Sequence, residues 1–261
     1  MTIAEFDILN NHIGYGNPNA EIVFMGLEEA CDHNTIPANY NYRFNYAGTE
    51  IDGLYDLRDF HADSGLFELN KWWTTNQNQS TWNIITFLIS NLGNLNLNTP
   101  IQRKTNYRNS LGRHDQRTCL LEYYPLPRPG HGDWNNINTV HAGILNIPGL
   151  FNTKDEYFDH CRNRNPDRIR RIRNIINGAN SKYIFLHGVL ETVENTTVVR
   201  EDIIDILPDD WEDHSVLIEN IGTRHFYIYS NNDKVIITSY FLSTRHFDLD
   251  ALRDLTDLIL N

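Results

Sequence analysis

The chain has 261 residues, of which 40% are hydrophobic and 11% aromatic, and it carries a formal net charge of −12. No apolar run approaches the roughly 18 residues of a membrane helix, and Cys31, Cys119 and Cys161 lack the close spacings of zinc or dithiol chemistry. These features argue against a membrane span, a disulfide framework and a structural metal. With neither a basic start nor an apolar stretch at residues 1–10, they lead to the expectation of a cytoplasmic protein.

No Pro/Gly/Ser-rich linker breaks residues 1–261, so a single domain with loop insertions is expected. The net charge repels nucleic acid on average. Lysine and arginine are nevertheless concentrated in residues 103–128 and 162–173. Those stretches read either as a basic face or as ion-paired, solvated surface.

In chain order, a turn cluster at residues 14–19 precedes the first buried strand, at 21–26. The Asn/Tyr-rich stretch 39–46 reads as an ordered loop. Trp82, Ile85, Leu88, Ile89 and Leu92 give helical spacing over 81–92, with Ser80 or Thr81 as N-cap. A second buried strand falls at 119–124. Residues 167–176 form an amphipathic helix with Ile169, Ile172, Ile175 and Ile176 on one face and arginines elsewhere, stopped by Gly178. A third strand lies at 183–187 and a fourth at 235–241, the latter paired as a hairpin with 226–230 across 231–233. A last helix covers 248–260, with Asp248 or Asp250 favouring its dipole. This alternation predicts an α/β fold: a central, mostly parallel four-stranded sheet with helices on both faces, an added hairpin and loop insertions. Ligands bind such sheets beyond the carboxyl ends of the strands, which directs attention to the loops after Gly26, Tyr124, His187 and Phe241.

The first of these loops carries two adjacent carboxylates, Glu28 and Glu29, where an acid, a base or a water-orienting group would sit; they serve equally as loop caps. Glu122 lies on the second strand, where it either faces a ligand or pairs with Arg117 or Arg128. His131 and His141 flank a Gly/Asn-rich loop and read as surface residues or pocket lining. No phosphate loop, dinucleotide fingerprint or Gly-x-Ser-x-Gly elbow occurs, which removes support for nucleotide and serine hydrolysis.

The segment Pro18-Asn-Ala-Glu-Ile-Val-Phe-Met-Gly-Leu-Glu-Glu-Ala30 resembles the first motif of the uracil-DNA glycosylase superfamily. In that motif a strand runs into a Gly-acid loop that positions the hydrolytic water. The resemblance implies a catalytic role for Glu28 or Glu29, although the Pro-Tyr and Pro-Gly endings of the well-known branches are missing. Tyr42-Arg-Phe-Asn-Tyr-Ala-Gly48 resembles the loop whose phenylalanine stacks on the extruded base, which points to Phe44 with Tyr42 beside it. Leu120-Leu-Glu-Tyr-Tyr-Pro resembles the strand that ends in a base-reading asparagine, with Glu122 in that place. A carboxylate only accepts, so it suits the exocyclic amine of a cytosine-type base better than uracil.

Residues 236–247 resemble the superfamily's second motif, a His-Pro-Ser-type loop, but the histidine falls later. Ser243, Arg245 and His246 are the candidates there. A donor in that loop would stabilise the negative charge that develops on the leaving base.

The resemblance implies a uracil-DNA-glycosylase-like fold and a DNA glycosylase that needs no cofactor and no metal. A base would be flipped from DNA held by Arg245, Arg168, Arg170 and Arg171. It also implies a modified cytosine as the target, as in an anti-phage branch that removes glucosylated hydroxymethylcytosine from viral DNA, with no obligate protein partner. Two other readings stay open: a catalytically silent DNA- or protein-binding module on the same fold, and an N-glycosidase acting on free nucleosides or nucleotides.

Overall fold

The computed structural model describes residues 2–27, 29, 35–127, 151, 153–163, 165–221, 224–231, 233–242 and 247–260. Its centre is four adjacent parallel strands: β4 (Thr118–Glu122), β2 (Ile22–Gly26), β5 (Tyr183–His187) and β10 (Val235–Ser239). These are the four strands expected from the sequence. Each is short, branched or aromatic, and buried on both faces, as strands flanked by helices on two sides must be.

The sheet is wider than expected, with eight strands among the described residues. On one side β1 (Gly14–Gly16) runs antiparallel to β4 and parallel to β3 (Leu54–Tyr55). On the other, β9 (Arg224–Ser230) pairs antiparallel with β10, as the hairpin reading anticipated, and β8 (Ser215–Ile221) pairs with β9, while β6 (Leu190–Val193) and β7 (Thr196–Val199) form a separate antiparallel pair. The turn cluster at 14–19 hid β1. Gly14 has φ of 146°, and a Cβ there would lie 1.9 Å from the Leu120 carbonyl oxygen, so only glycine lets this strand approach β4.

Side chains alternate between two cores. Val23, Met25, Leu121, Ile184, Leu186 and Ile236 face one, which the helices Ile3–Asn11 and Pro166–Ile176 cover with Phe6, Leu9, Ile172, Ile175 and Ile176. Ile22, Phe24, Leu120, Phe185 and Ile237 face the other, covered by Ser80–Leu92 and Leu249–Leu260. Helices therefore lie on both faces. The last helix is capped by Asp248, which accepts from the Ala251 N–H at 2.7 Å. Ser80–Leu92 is capped by Gln79, which accepts from the Trp82 N–H at 2.6 Å, in place of the expected Ser80 or Thr81. Among the described residues no helix is long and apolar enough to cross a membrane.

The stretch 39–46, expected as a loop, belongs to a helix, Ile36–Tyr46. Its buried face is Ile36, Asn39, Tyr40 and Arg43, which is helical spacing carried largely by polar groups. A search for apolar periodicity passes over such a face. Pro37 at the helix start fits, since the N–H it lacks would have no partner there.

Candidate functional site

A cleft of about 250 Å³ opens at the carboxyl ends of the parallel strands. Gly26 ends β2, Glu122 ends β4, His187 ends β5, and Phe241 follows β10; all four border the cleft. Glu29 closes one side. The helices Phe67–Thr74 and Ser80–Leu92 add to the lining through Lys71, Trp72, Trp82 and Ile85. The lining is largely aromatic and apolar with a few polar groups, the usual make-up of a small-molecule subsite.

Glu29 is held by a buried network. The Tyr15 hydroxyl donates to its Oε2 at 2.6 Å, Arg43 Nη2 donates to the same oxygen, and Asn39 Nδ2 reaches Oε1 at 3.4 Å. Arg43 is 2% exposed in its side chain against 15% for Glu29, and its Nε also donates to Asn39 Oδ1 at 2.7 Å. Burial opposes the charge on Glu29, but Arg43, with help from Tyr15, outweighs it and holds the carboxyl below its usual range. Burial likewise opposes the charge on Arg43, and Glu29 outweighs it, so the pair stays ionised. Burial pushes the Tyr15 hydroxyl well above its ordinary value, so it remains a donor. Glu29 is therefore a fixed negative charge, and among the described residues its Oε1 receives only the long Asn39 contact.

His61 borders the same cleft, stacked on Trp73 at 5.4 Å and edge-on to Trp82 at 5.3 Å. Its Nδ1 lies 3.2 Å from the Leu69 carbonyl oxygen, and a carbonyl only accepts, so Nδ1 carries the proton and Nε2 is an acceptor. Burial lowers its pKa to about 4 against the opposing pull of Glu29, which keeps the ring neutral near pH 7.

Of the residues singled out from the sequence, Glu29 and Glu122 meet at this cleft. Glu122 does not have Arg117 as its salt-bridge partner, since Arg117 pairs with Glu21 at 2.5 Å. Phe44 and Tyr42 do not border the cleft. On their helix, Phe44 packs against the core on one face of the sheet, while Tyr42 meets Phe60 at 5.0 Å and Tyr46 at 5.6 Å. The aromatic side chains that border the cleft include Trp72, Trp82 and Phe241 instead.

Arg168 requires a correction as a DNA contact. It is fully buried and spends its guanidinium on four backbone carbonyls, those of Asn10, His12, Glu122 and Tyr123, so no phosphate reaches it. Arg170 is exposed and paired with Asp167 at 2.8 Å, and Arg171 donates to the Asn11 carbonyl at 2.9 Å. Glu28, Ser243, Arg245 and His246 lie outside the described residues, as do Arg128, His131 and His141.

His187, Trp72, Trp82, His61, Tyr15 and Arg43 were not singled out. His187 had a signal, because it is the last residue of a strand whose following loop was already marked. Trp72, Trp82 and His61 reach the cleft from helices and Tyr15 from the three-residue strand β1, while Arg43 stands behind Glu29; spacing along the chain says nothing about such convergence. No protein-family model, no curated protein and no solved structure matches the chain.

Proposed function

We propose that the protein is a DNA glycosylase that hydrolyses the N-glycosidic bond of a flipped, cytosine-type modified base. The observation that carries the reading is the meeting of an ionised Glu29 with Glu122 and His187 in an aromatic slot at the ends of parallel strands. In this reading a flat base stacks on one of the aromatic rings that line the cleft, Trp72, Trp82 or Phe241, with its polar edge toward Glu122.

As the C1′–N bond breaks, its electrons go to the base and positive charge grows on the sugar. Glu29 is a weak base, since Arg43 and Tyr15 stabilise its anion. It is better suited to offset the sugar's positive charge and to orient a water at Oε1 for attack on C1′. Water needs little help against such a cation. Glu28 is the neighbouring alternative for the same role. A setting in defence against phage whose DNA carries modified cytosine suits this chemistry.

The charge distribution favours a second substrate form, a free nucleoside or nucleotide. The protein carries −12 overall, and Arg43, Arg103, Arg168 and Arg200 are committed to internal contacts.

The test is abasic-site formation on oligonucleotides containing uracil, cytosine or glucosylated hydroxymethylcytosine, with free nucleosides in parallel. Release from the modified cytosine is expected, and Glu29→Gln should slow it by about 100-fold or more. Release of uracil alone would overturn the role of Glu122. Binding without abasic sites would leave a silent module, and turnover of nucleosides without salt dependence would favour the second substrate form.

A further inference from the structure

We propose that a smaller pocket beside the cleft is a second ligand site, which takes a separate, compact apolar molecule the size of a six-membered carbon ring and bears on the cleft through Asn39 and Leu69. The site does not rest on the reaction proposed above.

The pocket lies where two helices begin. Thr35, Ala38 and Asn39 line it from the start of Ile36–Tyr46, and Leu66, Phe67 and Leu69 from the start of Phe67–Thr74. A helix start is ordinarily polar, because its first N–H groups have no partner within the helix and a Ser, Thr, Asp or Asn at the N-cap accepts from them. The N-cap of Phe67–Thr74 is Leu66, which makes no side-chain capping bond, and leucine is among the poorest residues at that position. The next side chain, Phe67, is 57% exposed. Two large apolar residues thus stand where helix stability alone would place a small polar one, and what they supply is an apolar wall to the pocket.

Size and chemistry select the occupant. The pocket holds about 120 Å³, close to the roughly 150 Å³ of an apolar cavity that takes one benzene molecule. Thr35 and Asn39 are the polar side chains of its lining, and the Asn39 amide is already engaged, with Nδ2 reaching Glu29 Oε1 at 3.4 Å and Oδ1 accepting from Arg43 Nε at 2.7 Å. Water in such a place is poorly held, and an apolar group that displaces it gains affinity. The glucosyl group of a modified base does not suit the pocket, because its hydroxyls would leave water and find few partners. The occupant is therefore a molecule distinct from the base.

The pocket shares Thr35 and Leu69 with the cleft. Its walls also brace two groups that face the cleft: Asn39 contacts Glu29, and the Leu69 carbonyl holds the His61 proton on Nδ1 at 3.2 Å. An occupant packed against Asn39 and Leu69 is felt by Glu29 and His61, and by linkage a ligand in the cleft changes affinity for the pocket by the same factor.

The experiment titrates the full chain with benzene, and in parallel with methyl glucoside, by methyl and side-chain NMR. Benzene is expected to shift the methyl signals of Ala38, Leu66 and Leu69, together with the Asn39 side-chain amide and the His61 ring nitrogens, whereas methyl glucoside leaves them in place. Ala38→Leu, which fills the pocket, should weaken benzene binding at least about 10-fold. Leu66→Thr installs a conventional cap, so it should keep or raise the melting temperature while also weakening benzene about 10-fold; it carries the test if Ala38→Leu fails to fold. No benzene shift at these three methyls, wild-type benzene affinity in Leu66→Thr, or the same shifts with methyl glucoside would overturn the site. Benzene bound there with the Asn39 amide and the His61 ring unmoved would overturn its bearing on the cleft.

Discussion

Replacing Arg168 by methionine separates an internal brace from a nucleic-acid contact. The guanidinium donates through Nε to the Tyr123 carbonyl and through Nη1 to that of Asn10, both at 2.8 Å, and it also serves the carbonyls of His12 and Glu122. Burial lowers its pKa to about 10, which leaves it charged at neutral pH. Methionine fills similar space with no donor. The carbonyls of Tyr123 and His12 are in fully buried bonds, and each orphaned buried acceptor costs about 1–3 kcal/mol. Removal of a desolvated charge returns part of that cost. A net loss of about 3 kcal/mol is expected, a large share of the roughly 5–15 kcal/mol that holds a domain together. With a urea slope of about 3 kcal/mol per molar, the midpoint should fall by about 1 M. Any affinity for DNA should keep its salt dependence in Arg168→Met. A variant within about 0.5 kcal/mol of wild type that shed about one unit of salt slope would refute the reasoning and return Arg168 to the phosphate backbone.

The stability of the fold should depend on acid through His61. Its folded pKa of about 4 lies below the ordinary 6.5, so the unfolded chain binds the proton first, and stability is complete above pH 6.5 and declines as pH falls toward 4. The full loss amounts to about 3 kcal/mol, and denaturant titrations of His61→Gln should show a slope reduced by about one proton over that window; an unchanged slope would contradict the burial argument. Trp82→Ala should weaken base binding by about 1–3 kcal/mol, whereas Phe44→Ala should lower the melting temperature and leave binding unaltered; the opposite pairing would restore Phe44 as the stacking residue.

The parallel centre of the fold was legible because its strands are continuous apolar runs that no helix of that length would tolerate between turn signals. The edges were not. β1 is three residues with two glycines, and β3 is two residues, so neither contains enough side chain to show a period. The helix Ile36–Tyr46 was hidden for a different reason, since Asn39 and Arg43 on its inner face exist to hold Glu29 rather than to fill a core. The same logic governs the site. Gly26, Glu29 and Glu122 were visible as chemistry at strand ends, whereas Tyr15, His61 and the tryptophans were visible only as aromatic residues until packing drew them to one cleft.

The interleaving of the strands also bears on how the protein is made. β2 emerges from the ribosome before both its neighbours, and Ile22 waits for Thr118 on one side and Tyr183 on the other, partners about 96 and 161 positions further along. An apolar strand with two unpaired edges is a template for aggregation while it waits, and contacts so distant in sequence form slowly. Residues 26, 122, 187 and 241 all line the cleft, so a chain whose synthesis has not passed Phe241 lacks part of its wall.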